Sequence, residues 1–328
     1  MKKELNLISL WRVAFTYVIA MFHLFNQYGK WTDWAIGVEF FFIVSGWLLA
    51  DTQNRYNFEA YEYVWRRIKR LYPEYFVAFI IACACKTQLD DMNVIEIIKW
   101  LRNVGFRELI MIHSLSFGDN VLYANIPTWY IPIMLFSGLI IYSITKKSKK
   151  IVMEVVVPIS IVLFITYAYR NEHTFMNDAI IGNWISLYML RGFSEMGVGY
   201  CLYYFNKAHQ KLMTNKCALF GGNLMILGVL VVSFFVGSDG DIMYLVMLSV
   251  GILIAFNTKL VVFPRFILFL EKISYSVFLI HHVVRRYLMP QLFGELSFIM
   301  ITSYLIIITV CAIFLHYFVF WVKKVISR

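Results

Sequence analysis

The apolar residues of this chain fall in blocks. Runs of roughly 17–25 residues, the length needed to cross a hydrocarbon core, recur from one end of the 328 residues to the other. Only short polar links separate them. The expected spans are 8–28, 35–51, 72–86, 126–145, 151–169, 184–205, 217–236, 241–257, 266–288 and 297–322. Composition agrees: the chain is 60% hydrophobic and 15% charged, whereas a soluble domain is nearer half apolar and about a quarter charged. The fold class is therefore an all-α polytopic membrane protein of about ten transmembrane helices. It forms a single transmembrane domain over residues 1–328, since no link is long enough for a separate soluble domain. Segment 91–113 is amphipathic and too charged to span, so it is expected to lie at the membrane interface.

The net charge of +10 does not point to nucleic acid, because the basic residues cluster in alternate links. Such clustering orients a membrane protein. With the N-terminus inside, 19 Lys and Arg fall on the cytoplasmic side and 8 on the outer side. Both termini are thus expected in the cytoplasm, with an even number of crossings. The opening MKKELNLISL resembles the basic region of a signal peptide. However, Arg12 and His23 interrupt the run that follows, and it lacks a small-residue cleavage site, so it reads as a mature helix. The five cysteines, Cys83, Cys85, Cys201, Cys217 and Cys311, fall in or beside apolar runs. They suggest neither a disulfide framework nor a metal site.

Charges are expensive inside a bilayer, which makes them functional candidates with partners nearby. Arg12 and His23 stand eleven residues apart in the first run. Eleven helical steps make three turns plus about 20°, so both side chains share one face, about 16 Å apart along the axis. Glu39 lies in the second run, about as far from the connecting loop as His23. A carboxylate level with an imidazole can fix its tautomer and stabilise the imidazolium. The competing reading is an ion pair that holds the first two helices together. Arg66, Arg67 and Arg70, in YEYVWRRIKRLYPEY, share one helical face at the cytoplasmic interface. Guanidinium forks match phosphate, but a topology anchor or an anionic-lipid contact fits the same spacing.

These residues carry a resemblance. The chain is similar, over essentially its whole length, to the bacterial acyltransferase-3 family of membrane O-acyltransferases. Arg12 and His23 reproduce its Arg-x10-His motif, and GVEFFFIVSGWLLA (37–50) its acidic segment, with Glu39 in the acidic place. WRRIKRLYPEY matches its Arg-Arg-x-x-Arg motif. IPTWYIPIMLF (126–136), RGFSEMGVGY (191–200) and ISYSVFLIHHV (273–283) follow in the family's order. The resemblance implies ten helices, an acyl-CoA donor such as acetyl-CoA, and transfer to a hydroxyl, usually on a sugar of a surface polysaccharide. It also implies pocket roles for Trp129, Arg191, Glu195, Tyr275 and His281. Many relatives carry an appended SGNH domain; none is expected here.

The expected protein is a multi-pass O-acyltransferase of the bacterial inner membrane. Its partners are acyl-CoA, a surface glycan or its lipid-linked precursor, and membrane lipids, with no nucleic acid, no metal and no permanently bound cofactor. His23 acts as general base and Glu39 orients it. Arg12 stabilises charge on the donor or in the tetrahedral intermediate, and Arg66, Arg67 and Arg70 hold the donor's phosphates. Trp129 is expected to offer its ring to a sugar. A covalent acyl-His intermediate is a variant of this scheme. Ser45, beside Gly46 on an apolar helix, reads as close packing rather than as a nucleophile. The rival function is a transporter or flippase that exports a surface glycan, since buried Arg, Glu and His also mark translocation paths.

Overall fold

The computed structural model describes residues 6–30, 32, 34–115, 123–171, 180–181, 185–209, 216–260 and 263–326. Each expected span coincides with a helix. These are α1 (Ile8–Gln27), α2 (Gly37–Arg55), α3 (Ala60–Leu89), α4 (Tyr130–Lys147), α5 (Val157–Asn171), α6 (Leu187–Ala208), α7 (Lys216–Val236), α8 (Asp241–Ala255), α9 (Pro264–Val283) and α10 (Phe298–Ile326). With their flanking turns, six helical segments among the described residues are long and apolar enough to cross a membrane, and α7 and α8 are shorter apolar helices. The protein is a multi-pass membrane protein. Lys2, Lys3, Lys211 and Arg328 of the charge count lie outside the described residues.

The outside of the bundle is apolar. Phe298, Ile306, Phe314 and Trp321 on α10 and Phe220, Leu224, Val231 and Phe235 on α7 are all exposed. In water such a surface would be an interaction patch; around spanning helices it faces lipid. The interior is held by close packing and by polar pairs. Glycine makes the closest approach. A Cβ on Gly46 of α2 would stand 1.9 Å from the Met196 carbonyl oxygen of α6, and one on Gly199 1.9 Å from that of Ile43. Small residues let membrane helices touch backbone to backbone, which accounts for the Ser45–Gly46 pair as packing.

Spacing fixes the helix directions. Glu39 pairs with Arg191, and Tyr203 Oη donates to Asp51 Oδ1 at 3.4 Å, twelve residues further along both α2 and α6. These two helices therefore run parallel. Arg12 pairs with Glu271, and the ring of His23 lies against that of His282, eleven residues further along both α1 and α9. They are parallel too. By contrast α2 runs against α1: Gly37 abuts Ile19, and the Phe40 ring stacks on Phe15 at 4.1 Å.

The segment after α3 divides in two. In its first half, helix Val94–Trp100 presents Val94, Ile95 and Ile98 to the surroundings, as an interfacial helix does. Its second half turns Val104, Glu108 and Met111 into the bundle while Phe106 and Ile110 stay exposed. Glu108 is fully buried, and its carboxylate accepts the amides of Ala124 and Asn125 at 2.8 and 3.0 Å. Tyr75 Oη on α3 donates to the Glu108 carbonyl at 2.5 Å, and Asn125 Nδ2 to that of Leu279 on α9 at 2.7 Å. Buried polar groups need partners, and Glu108 and the Asn125 amide find theirs within the loop and on α3 and α9. Burial pushes the Glu108 carboxyl up to about 7, against the pull of the two amides and Lys86. Burial lowers the His113 imidazole to about 3.

Candidate active site

Arg12 and His23 do share a face of α1, and that face meets α9. The half-buried His23 ring lies 5.3 Å from that of His281 and 6.0 Å from that of His282, centroid to centroid. No hydrogen bond to the His23 ring nitrogens occurs among the described residues. Two residues brace the centre. Arg285 Nη1 donates to the His23 carbonyl at 3.0 Å. Tyr304 Oη on α10 lies 3.3 Å from the Ala20 carbonyl and 3.1 Å from that of His281. The result is three imidazoles gathered between α1, α9 and α10.

Glu39 is not among them. The link between α1 and α2 runs down beside α1 before α2 begins at Gly37, opposite Ile19. Glu39 therefore sits nearer the level of Thr16, roughly 10 Å below His23 at 1.5 Å per residue. Its carboxylate turns to α6 instead. Arg191, with a fully buried side chain, donates Nη2 to Glu39 and Nε to Glu195 at 3.0 Å. The expected His23–Glu39 dyad is replaced by a Glu39–Arg191–Glu195 cluster. Arg191, Glu195 and Gly199 recur every four residues along the face of α6 that meets α2, so the pattern expected to line a substrate pocket packs these two helices.

Arg12 lies about 16 Å from His23 along α1 and pairs with Glu271 of α9. That distance removes it from any tetrahedral intermediate at His23 and leaves it at the other end of the helix. There it joins a basic region: Arg70 is close enough to feel the charges of both Arg12 and Arg67. The expected arginine face is divided. Arg66 lies over the Phe58 ring at 4.3 Å and Arg67 over Tyr63 at 4.8 Å. Arg66, Arg67 and Arg70 have no carboxylate partner among the described residues. Tyr275 borders the same region, its hydroxyl 3.4 Å from the Leu71 carbonyl.

Trp129, expected to meet a sugar, is 9% exposed, and its ring stacks on Tyr188 at 4.2 Å. That face is filled. Two features lay outside the sequence expectations. Glu74 on α3 accepts from Ser276 at 2.5 Å and pairs with His316 at 2.9 Å, joining α3, α9 and α10. Arg285 was among the 8 outer-side charges although the expected span 266–288 contains it; it lies on a π-turn, Val284–Leu288, that continues α9, and its guanidinium reaches the His23 carbonyl. Its spacing from His281 and His282, four and three residues, was the available signal.

Parallel helices, buried charge pairs and a gathered imidazole centre define a polytopic membrane protein with a polar site inside the bundle. The chain belongs to the acyltransferase-3 family: the Acyltransferase domain matches residues 7–318, nearly its whole length. Among curated proteins and among solved structures, none matches it.

Proposed function

We propose that this protein is an acyl-CoA-dependent O-acyltransferase of the bacterial inner membrane. On this reading it crosses the membrane ten times with both termini in the cytoplasm. It transfers an acyl group, acetyl in the simplest case, to a hydroxyl of a surface polysaccharide or its lipid-linked precursor. The family match supplies the reaction class. The observation that carries the site is His23: an imidazole in the outer half of α1 whose ring nitrogens are bound to nothing in the described protein.

The hydroxyl oxygen attacks the thioester carbon while His23 takes its proton as general base. Collapse of the tetrahedral intermediate breaks the C–S bond, and the sulfur leaves as the thiol with the proton that His23 held. The nucleotide of the donor rests at Arg66, Arg67 and Arg70, whose guanidinium groups suit phosphate. Arg12 lines the way from there toward His23. An apolar groove of about 960 Å³ between α3, α9 and α10 runs behind the histidines along Ile280, Val283 and Val284, and it favours a lipid-linked acceptor. Export of a glycan has no comparable feature in its support.

Mass spectrometry of surface glycans from wild type and a deletion strain tests the reading. Loss of an acyl ester from an otherwise intact glycan is expected. Loss of the whole glycan would contradict it and favour export.

A further inference from the structure

His281 and His282, neighbours on α9, are locked in opposite tautomers. His281 Nδ1 lies 2.7 Å from the Phe278 carbonyl. A carbonyl only accepts, so Nδ1 carries the hydrogen and Nε2 of the neutral ring keeps a lone pair. His282 Nδ1 lies 3.1 Å from Arg285 Nη2. A guanidinium only donates, so here Nδ1 holds the lone pair and Nε2 carries the hydrogen. Arg285 is itself fixed by its bond to the His23 carbonyl at 3.0 Å. Both Nε2 atoms are buried, and neither has a partner among the described residues. Native proteins rarely leave buried polar atoms unsatisfied, and those that remain call for an explanation such as a catalytic role. Here one donor and one acceptor stand open beside the His23 ring.

We infer that His282 Nε2–H is the donor that receives the oxyanion of acyl transfer, held and polarised by Arg285. The inference rests on the reading of the chain as an O-acyltransferase with His23 as base. When the hydroxyl oxygen attacks, its proton goes to His23 and the carbonyl π pair moves onto the carbonyl oxygen. That oxygen accepts from His282 Nε2–H. Collapse restores the C=O bond and breaks C–S, and the sulfur leaves with the proton from His23. His282 neither gains nor loses a proton. A cation on Nδ1 draws density from the ring and strengthens the bond that Nε2–H donates. Arg12, about 16 Å away along α1, cannot supply this donor. His281, with its open lone pair, suits a second hydroxyl of the acceptor, as a sugar provides.

The test uses the full chain in nanodiscs with acetyl-CoA as donor and glycan from a deletion strain as acceptor. His282→Asn keeps an acceptor for Arg285 but removes the outer donor. Its kcat should fall about 10²–10³-fold, the usual loss on removing one oxyanion donor. The KM for acetyl-CoA should stay within about twofold, because the lost contact forms only in the transition state. His282→Gln returns an amide N–H to the Nε2 position and should recover about tenfold or more of that loss. Wild-type kcat in His282→Asn, or equal loss in the Asn and Gln variants, would overturn the inference. Nitrogen-15 NMR of histidine-labelled wild type reads the tautomers directly, whether or not any variant folds. Hydrogen on Nε2 of His282 and on Nδ1 of His281 is expected, and hydrogen on Nδ1 of His282 would overturn the inference. If His23→Ala is inactive while His282→Asn is not impaired, this inference alone fails. If His23→Ala remains active, the reading of His23 as the base fails.

Discussion

Arg191 and His282 are both buried, at 0% and 1% exposure, yet they sit in different kinds of surroundings. Arg191 is clasped between Glu39 and Glu195, so opposite charges from α2 and α6 meet at the point where those helices touch. His282 sits among like groups, His23 and His281, with Arg285 behind it, and its Nε2–H meets no partner among the described residues. The first arrangement pairs opposite charges and binds two helices, although Glu39 Oε2 and Glu195 Oε2 have no hydrogen-bond partner among the described residues. The second has binding capacity left over. The two clusters thus divide by whether their buried groups meet opposite charge. On the proposed reading the working centre lies at α1 and α9, and the charge-paired cluster is its scaffold.

The largest effect on folding is expected at the scaffold. Arg191→Met leaves two buried carboxylates facing each other without their cation. Removing one partner of a buried pair costs about 3–5 kcal/mol, so the protein should unfold at a markedly lower temperature in nanodiscs. His23→Ala should leave the midpoint near that of wild type. Equal midpoints for Arg191→Met and wild type would erase the distinction between the two clusters.

A smaller effect is expected at the basic region. Replacing Arg67 and Arg70 together with Gln should weaken acetyl-CoA binding by about tenfold or more, since hydrogen bonds to charged groups are worth about 1.5–3 kcal/mol each. The remaining binding should respond less to salt. Isothermal titration with CoA at low and high salt measures both. Unchanged CoA affinity with inverted or unstable protein would assign these arginines to topology instead.

The smallest effect is a pH dependence set by the segment that carries Glu108 and His113. Burial holds the Glu108 carboxyl near 7, above its unfolded value of about 4.5. A raised carboxyl binds its proton more tightly when folded. Its stabilisation is therefore full below about pH 4.5 and is lost as pH rises to about 7. His113, lowered to about 3, acts in the opposite sense: its contribution is present above about 6.5 and is lost as pH falls toward 3. The difference in stability between wild type and Glu108→Gln cancels the histidine. That difference should move against wild type from pH 4.5 to 7, as denaturation at a series of pH values would record. A flat difference would mean that Glu108 keeps an ordinary carboxyl.

Much of this was legible in the sequence. Ten apolar runs predicted ten helices because length and hydropathy are local properties, and the eleven-residue spacing placed Arg12 and His23 on one face. Which helix that face meets was not legible, since α9 lies some 250 residues away and helix neighbours are a tertiary property. The Glu39 expectation failed for a local reason: it counted residues from the loop as if the link were a tight turn, whereas the link descends beside α1. Arg285 fell inside the expected span 266–288 yet was counted with the outer charges, because a charge count by link does not show that its guanidinium reaches the His23 carbonyl. The arginines of α3 divided because Arg66 lies over Phe58 and Arg67 over Tyr63, ring contacts that helical spacing alone does not fix.

The central claim is that His23 removes the proton in acyl transfer. It is tested most directly by turnover of His23→Ala in nanodiscs, with acetyl-CoA and glycan from a deletion strain, alongside its thermal midpoint. Loss of a general base costs about 10²–10⁴-fold. The account predicts a fall of that size in kcat with an unchanged midpoint. Turnover near wild type in a folded His23→Ala protein would contradict it.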